Sequence, residues 1–302
     1  MYLATMLRPI RSNRVFLWGI LSFWVNIHIM APMQDSHWQL RLVGKSLKKR
    51  EKIGILEKHL SVAPTDRVLD LGCAQGILSY FLRKRGGAWI SADLDSVNLK
   101  TSQALLERNL LQISEGQLPF RNESLDMVVS LDYLEHLDDD QACLSEIHRI
   151  LKKGGRLLLA TPRTGFPFLL NRLRPLLGMK LEFYGHKREG YTLKNLRYMM
   201  EEAGLYTVKH KSFSGFITEA MELALNFLYI RIYGSAEPAP GLRDGHIRPS
   251  TSEEFTRRKG IFRAYSLVYP LLWFLSRLDR LFFFQRGYGL MIWAVKPESA
   301  EK

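Results

Sequence analysis

Between Asp66 and Thr161, short apolar runs alternate with stretches in which apolar residues recur every third or fourth position. The short runs have the length of strands, and the longer 3–4 spacing places one apolar face on a helix. The pattern predicts strands at RVLDL, AWISAD, DMVVSL and GRLLLAT, with a weaker one near LLQIS. Between them it predicts helices over Gln75–Lys84, Ser96–Arg108 and Asp139–Lys152, the last closed by Gly154 and Gly155. Repeated strand–helix steps build a parallel sheet with helices on both faces. This is an open, doubly wound α/β arrangement, which binds ligands beyond the carboxyl ends of its strands.

After Thr161 the rhythm loosens. GFPFLLNRLRPLLGMKLEFYGHKREG reads as an irregular insertion, TLKNLRYMMEEAGL as a helix ending at Gly204, and YTVKHKSF as a strand. Next come an apolar helix, FITEAMELALNFLYIRIY, and a polar Pro/Gly loop from Ser235 to Ser252. A second apolar helix, IFRAYSLVYPLLWFLSRLDRLFFF, is interrupted at Pro270, and GYGLMIWAVKP is a final strand. Three parts follow: an apolar, basic N-terminal segment over 1–35, a core over 36–213 and 286–297, and a helical insertion over 214–285.

Charge sharpens this division. The formal charge is +13, but residues 1–60 carry 10 Lys/Arg against 3 Asp/Glu, residues 61–165 carry 12 against 14, and residues 166–302 carry 21 against 13. The basic excess therefore sits in the flanks, which are also the apolar parts. That combination suits an anionic membrane surface better than nucleic acid. The N-terminal Arg8, Arg11 and Arg14 precede VFLWGILSFWVNIHIM, for which three readings stand: a membrane-associated helix, a signal-like segment lacking a good cleavage site, or residues upstream of a true start at Met30 or Met33. With only Cys73 and Cys143, neither a disulfide framework nor a clustered cysteine metal site is expected.

The candidate chemistry begins at VLDLGCAQG, where Asp70 ends a strand and Gly72 and Gly76 flank Cys73 and Ala74. The loop lacks the Lys-Ser/Thr of a P-loop, and its glycines, four apart, do not fit the dinucleotide spacing. What remains is a ligand with a cationic, amino-acid-like end meeting Asp70, with the glycines allowing close backbone approach. Asp93, about 20 residues further on at the end of AWISAD, stands where a carboxylate accepts two ribose hydroxyls. Asp95 fits better at the start of the next helix.

Together, VLDLGCAQG, SADLD, GQLPF, LDMVVSLDYLEHL and IHRILKKGGRLLLATP resemble the successive motifs of the class I S-adenosylmethionine-dependent methyltransferases. The likeness is to the small-molecule branch that includes quinone-biosynthesis enzymes, and it covers roughly residues 60–210. The resemblance implies a Rossmann-like methyltransferase fold of seven mostly parallel strands, with YTVKHKSF and an antiparallel GYGLMIWAVKP completing the sheet after an apolar helical insertion. It implies S-adenosyl-L-methionine as cofactor, with Asp70, Gly72, Cys73, Ala74 and Gly76 around the methionine part and Asp93 on the ribose. Leu94 would pack on the adenine, and Leu131 with Asp132 would line the methyl side. The family's acid near the adenine amino group falls at Ser114, with Glu115 beside it to serve after a one-residue shift. Ala74 replaces the usual middle glycine, and its methyl is expected to need a negative φ.

Methyl transfer needs alignment more than covalent catalysis, and a general base only for a hydroxyl or acidic-carbon acceptor. DYLEHL would bring Asp132, Glu135 and His136 to one face of a helical turn. His136 is then a candidate base, against a structural role in the cofactor loop. The same trio has the donor types of a divalent cation site, but no metal is assigned, because LEH is common in relatives of this kind without one. His186, in YGHKREGYT, is a candidate acceptor-facing residue, against simple exposure on a loop. Cys73 has no nearby base and is read as a small loop residue.

The expected function is transfer of a methyl group by in-line displacement to a small, hydrophobic or lipid-linked acceptor, in the cytoplasm at the inner face of the membrane. The expected partners are that acceptor and an anionic membrane surface, with no nucleic acid. The alternative is a non-catalytic protein of the same fold acting as a membrane-associated assembly partner.

Overall fold

The computed structural model describes residues 37–166, 168–179, 181–233, 251–281 and 286–298. The apolar N-terminal run and its three readings lie outside the described residues, as does most of the loop that begins at Ser235.

In chain order the core begins with helices α1 (Trp38–Val43) and α2 (Leu47–His59) and strand β1 (Arg67–Leu71). Then follow α3 (Ile77–Arg83), β2 (Ala88–Asp93), α4 (Ser96–Leu106), β3 (Leu110–Gln112) and β4 (Leu125–Leu131). A 3₁₀ turn at Leu134–His136 leads into α5 (Asp140–Ile150) and β5 (Leu151–Pro162). The second half holds α6 (Leu169–Leu176), a 3₁₀ turn at Leu181–Tyr184, α7 (Leu193–Glu202), β6 (Tyr206–Phe213) and α8 (Phe216–Tyr233). It closes with α9 (Ser252–Arg257), α10 (Lys259–Ser276), a 3₁₀ turn at Arg277–Leu281, and β7 (Gly289–Val295).

The seven strands form one sheet in the order β3-β2-β1-β4-β5-β7-β6. All neighbours are parallel except β7, which runs antiparallel to both β5 and β6. Alternation along the strands sends residues to opposite faces. Leu69, Leu71, Val128, Leu157, Leu159, Leu290 and Ile292 pack with Leu144, Ile147, Leu196 and Met200 of α5 and α7. Val68, Met127, Val129, Leu158 and Met291 pack on the other side with Leu56 and Leu82 of α2 and α3. Both faces are therefore covered, as a mostly parallel sheet requires. The chain leaves β1 toward β2 and β3, then returns to β4 on β1's other flank. The crevice at the carboxyl ends of β1 and β4 is consequently the topological switch point, where such sheets bind ligands.

Several boundaries differ from the sequence expectation. The helix expected over Asp139–Lys152 stops at Ile150, and β5 starts at Leu151. Gly154 and Gly155 do not close it. They shape an irregularity in β5, where Leu125 pairs with Leu151 but Met127 pairs with Arg156, and Gly154 takes a φ of 74°. The helix expected from Gln75 begins at Ile77, because Gly76 at its N-cap is left-handed. α4 ends at Leu106, before Glu107 at a φ of 60°. α10 runs through Pro270, losing one backbone hydrogen bond without breaking. The expected loop ends earlier than Ser252, which opens α9 behind a Thr251–Glu254 capping box.

Candidate active site

β1 delivers Asp70 to the switch point, with only 3% of its surface exposed. Its Oδ2 is buried without a hydrogen-bond partner. Burial pushes the carboxyl up to about 6, although the hydroxyls of Ser79 and Ser91 and the charge of Arg83 pull it back. β2 delivers Asp93, also buried and raised by burial. Its Oδ2 accepts from the Ala74 N–H at 2.8 Å, and its Oδ1 accepts from Asp95 N–H at 3.0 Å and Asn98 Nδ2 at 3.1 Å. The second carboxylate thus fixes the loop after the first strand. Asp95 stands at the N-cap of α4, though its side chain makes no capping bond.

Asp70, Ala74, Asp93 and Asn98 line a cavity of about 390 Å³ together with Gly72, Cys73, Leu94, Leu131, Asp132, Tyr133 and His136. An orphaned buried carboxylate oxygen, a second carboxylate 23 positions on and the apolar Leu94, Ile77 and Leu78 fit a nucleoside sulfonium with an amino-acid tail. Gly72 and Gly76 are left-handed, with φ of 83° and 76°. In this structure the space they free is taken by protein. A Cβ at Gly72 would meet the Tyr133 ring at 2.5 Å, and one at Gly76 would meet Ser102 Cβ of α4 at 2.8 Å.

Two expectations fail here. Ala74 does not take a negative φ; it stands at +46°, held there by its N–H bond to Asp93. A residue with a Cβ pays about 1–2 kcal/mol for that conformation. Glu115 does not line the cavity. Its Oε1 accepts from the backbone N–H groups of Asp138 at 2.6 Å and Asp139 at 3.2 Å, at the turn before α5. Cys73 is buried and its thiol is pushed well above the ordinary range by burial and by Asp70, so it remains a neutral packing residue.

A second cavity, of about 340 Å³, shares Lys49 and Asp132 with the first. Its wall comes from α2 (Lys48, Lys52), α6 (Asn171, Arg174), the 3₁₀ turn and following loop (Leu181, Tyr184, His186) and α8 (Glu219, Glu222, Asn226), with Phe213 and Tyr288 from the sheet side. Charged groups are mostly paired within it: Lys52 with Asp132, Arg174 with Glu219, and Lys48 with Glu219 at 2.7 Å. Lys49 lies at the junction, on the exposed side of α2 and next to the charge of Lys52, which lowers its pKa. The lining is amphipathic, more polar than the apolar character of the flanks suggested.

The histidines meet where the cavities meet. His136 lines the first and His186 the second, and their rings pack edge-to-face with centroids 4.8 Å apart. His136 Nδ1 lies 2.7 Å from the Gly185 carbonyl, which can only accept, so Nδ1 carries the proton and Nε2 is left as the acceptor. Burial, then the neighbouring His136, depresses His186 to about 4, so its ring is neutral near pH 7. Glu135 is fully buried; burial and the charge of Asp132 raise its carboxyl, while Thr161 donates to it at 3.2 Å.

The expected one-face trio is rearranged. Only Leu134–His136 form a 3₁₀ turn, while Asp132 stands before it at a φ of 52° and pairs with Lys52. Glu135, His136 and His186 are grouped instead, each offering a ligand-type atom within 4.8 Å of the others. The residues missed from the sequence are the lysines of α2. KSLKKREK reads as a charge run, yet Lys52 is only 5% exposed and lies over the Phe213 ring at 5.2 Å.

The strand order, the antiparallel seventh strand and a two-carboxylate cavity at the switch point define the Rossmann-like fold of the S-adenosylmethionine-dependent methyltransferases. Residues 69–159 match the family model described as "Methyltransferase domain", so the chain carries a methyltransferase domain. Among curated proteins it is 31% identical over 100 residues to a ubiquinone biosynthesis O-methyltransferase of Parvibaculum lavamentivorans, a match covering 32% of this chain and 40% of that one. It is 24% identical over 204 residues to a demethylmenaquinone methyltransferase of Tropheryma whipplei, covering 62% and 80%. A solved S-adenosylmethionine-dependent methyltransferase of Thermotoga maritima shares the fold at a TM-score of 0.51 and 17% identity, covering 92% of this chain and 99% of that one. The match thus spans less than half of the first relative's length and most of the second's.

Proposed function

We propose that the protein transfers the methyl group of S-adenosylmethionine to a small amphipathic acceptor, hydrophobic or lipid-linked, seated in the 340 Å³ cavity. One observation carries this reading: the two cavities share Asp132 and Lys49, and a pair of histidines in contact spans the boundary between them. The bound cofactor supplies an electrophilic methyl on a sulfonium. Asp70 offers its unpartnered oxygen to the ammonium of the amino-acid tail, and Asp93, already anchoring Ala74, has lone pairs left for the ribose. His186, neutral at physiological pH, and Nε2 of His136 are the acceptors for a proton leaving a hydroxyl nucleophile. Tyr184, Met179, Phe213 and Tyr288 hold the apolar body of the acceptor, and the paired charges of α2, α6 and α8 orient its polar end.

A membrane surface as partner is supported by α10. Ile261, Leu267, Val268, Leu271 and Phe274 are exposed at helical spacing, Leu267 by 83% and Leu271 by 58%, with Arg257, Arg258, Lys259, Arg263, Arg277 and Arg280 around them. No helix among the described residues is long and apolar enough to cross a membrane, so such a face would lie in the interface. The test is incubation of the purified protein with methyl-labelled cofactor and a total lipid extract. Label in a solvent-extractable product supports the reading, and label confined to water-soluble metabolites refutes the lipid-like acceptor.

A further inference from the structure

Arg163, immediately after β5, is only 5% exposed, yet no carboxylate among the described residues pairs with it. Its Nη1 donates to the neutral Ser212 hydroxyl at 2.8 Å, and its guanidinium lies 5.3 Å from the centre of the Phe168 ring. Among the described residues, the charged side chain that acts on it is another cation, Arg286. A buried cation without an anion is costly, and folds ordinarily pair it. This one stands at the carboxyl end of a strand beside the switch point, where the fold places ligands.

Arg163 also forms part of two walls. On one side is the acceptor cavity, and on the other a cleft of about 660 Å³. The cleft is lined by Lys194, Arg197 and Arg286 as well, against a single carboxylate, Glu201. Thr192 and Leu193, the N-cap and first residue of the ten-residue helix α7, face it too, so the positive end of that helix adds to the cations. Arg197 donates to His210 Nδ1 at 3.0 Å, which fixes that ring as an acceptor, and the Arg197 Nε is buried without a partner. The cations here repel one another, outnumber the one carboxylate of the cleft, and form no ion pair among the described residues.

We infer that this cleft is a subsite for an oxyanion, a phosphate or carboxylate carried by the methyl acceptor, with Arg163 as its innermost contact. The assignment to the acceptor rests on the proposed use of the adjoining cavity; the oxyanion site itself does not. An acidic group held behind Arg163 would leave the rest of the molecule in the acceptor cavity, directed at the histidine pair.

The test uses the full chain and simple probes. Inorganic phosphate and acetate are titrated by calorimetry at constant ionic strength against chloride, with thermal melting in parallel. The wild type is expected to bind one of them saturably in the millimolar range and to melt at a higher temperature with it. Stronger phosphate binding assigns a phosphoryl group, and stronger acetate binding a carboxyl group. Arg163→Met is expected to lose at least tenfold in affinity, and the rim variant Arg286→Gln severalfold. Without anion, Arg163→Met should melt at or above the wild-type temperature, since it removes an unpaired buried charge. A marked fall in its melting temperature would overturn the inference, because Ser212 and Phe168 would then be satisfying Arg163 as part of the core. Anion binding unchanged in both variants, or none above chloride in the wild type, would also overturn it. Because no step of the test involves methyl transfer, failure of the acceptor reading would leave these results intact.

Discussion

Replacing Asp70 by Asn separates stability from binding, because the residue is built for a ligand at the fold's expense. Its carboxyl is raised from 3.8 to about 6, chiefly by burial. The folded protein therefore holds this proton more tightly than the unfolded chain. The penalty is absent below about pH 4, develops between pH 4 and 6, and is complete above that, reaching roughly 3 kcal/mol. Asp70→Asn should then stabilise the ligand-free protein by up to about 3 kcal/mol at pH 7.5 and by little at pH 4. The same change removes a charge-assisted hydrogen bond worth about 1.5–3 kcal/mol, so cofactor affinity should fall by roughly ten- to over a hundredfold. Urea unfolding at the two pH values, with calorimetric titration of S-adenosylmethionine, measures both. An Asn variant that is less stable than wild type at pH 7.5, or that binds cofactor normally, would show that the Asp70 charge is compensated within the fold.

Three further outcomes follow from the geometry. Ala74→Gly relieves a left-handed alanine and should raise stability by about 1 kcal/mol with cofactor affinity equal or better; a drop in melting temperature or a large loss of affinity would show that Ala74 is not strained in this loop. His186, depressed to about 4 by burial, stays neutral in the fold while the unfolded chain protonates near 6.5, so its contribution is present above pH 6.5 and lost as pH falls toward 4. His186→Gln should accordingly flatten the urea-stability profile between pH 7 and 4.5 by roughly 2.5 kcal/mol, and an unchanged slope would contradict the buried, neutral ring. Leu267→Glu combined with Leu271→Glu should abolish co-sedimentation with phosphatidylglycerol vesicles while leaving cofactor binding intact; equal sedimentation of variant and wild type would remove α10 from the membrane contact.

The parts legible in the sequence are those dictated by local periodicity. RVLDL and AWISAD are strands at the predicted residues, because each is a short apolar run that carries a carboxylate at its last or penultimate position before a loop. Asp70 and Asp93 share a cavity because parallel pairing of β1 with β2 brings their carboxyl ends together. What depended on contacts between distant segments was not legible. The φ of Ala74 is set by a hydrogen bond to a residue 19 positions away. Glu115 is drawn off by the backbone before α5, and Asp132 is captured by Lys52 from a helix preceding the first strand. A buried lysine looks in sequence like any other member of a charge run. Gly154 and Gly155 resembled a helix stop because local rules do not show that β5 could absorb them as a bulge.

The most direct measurement of the central claim is calorimetric titration of the full chain with S-adenosylmethionine, wild type against Asp93→Ala. Because Asp93 both lines the 390 Å³ cavity and anchors the Ala74 N–H, the wild type should bind one equivalent and the variant should bind at least tenfold more weakly. No heat of binding by the wild type at millimolar cofactor, or an affinity indifferent to Asp93→Ala, would contradict the account.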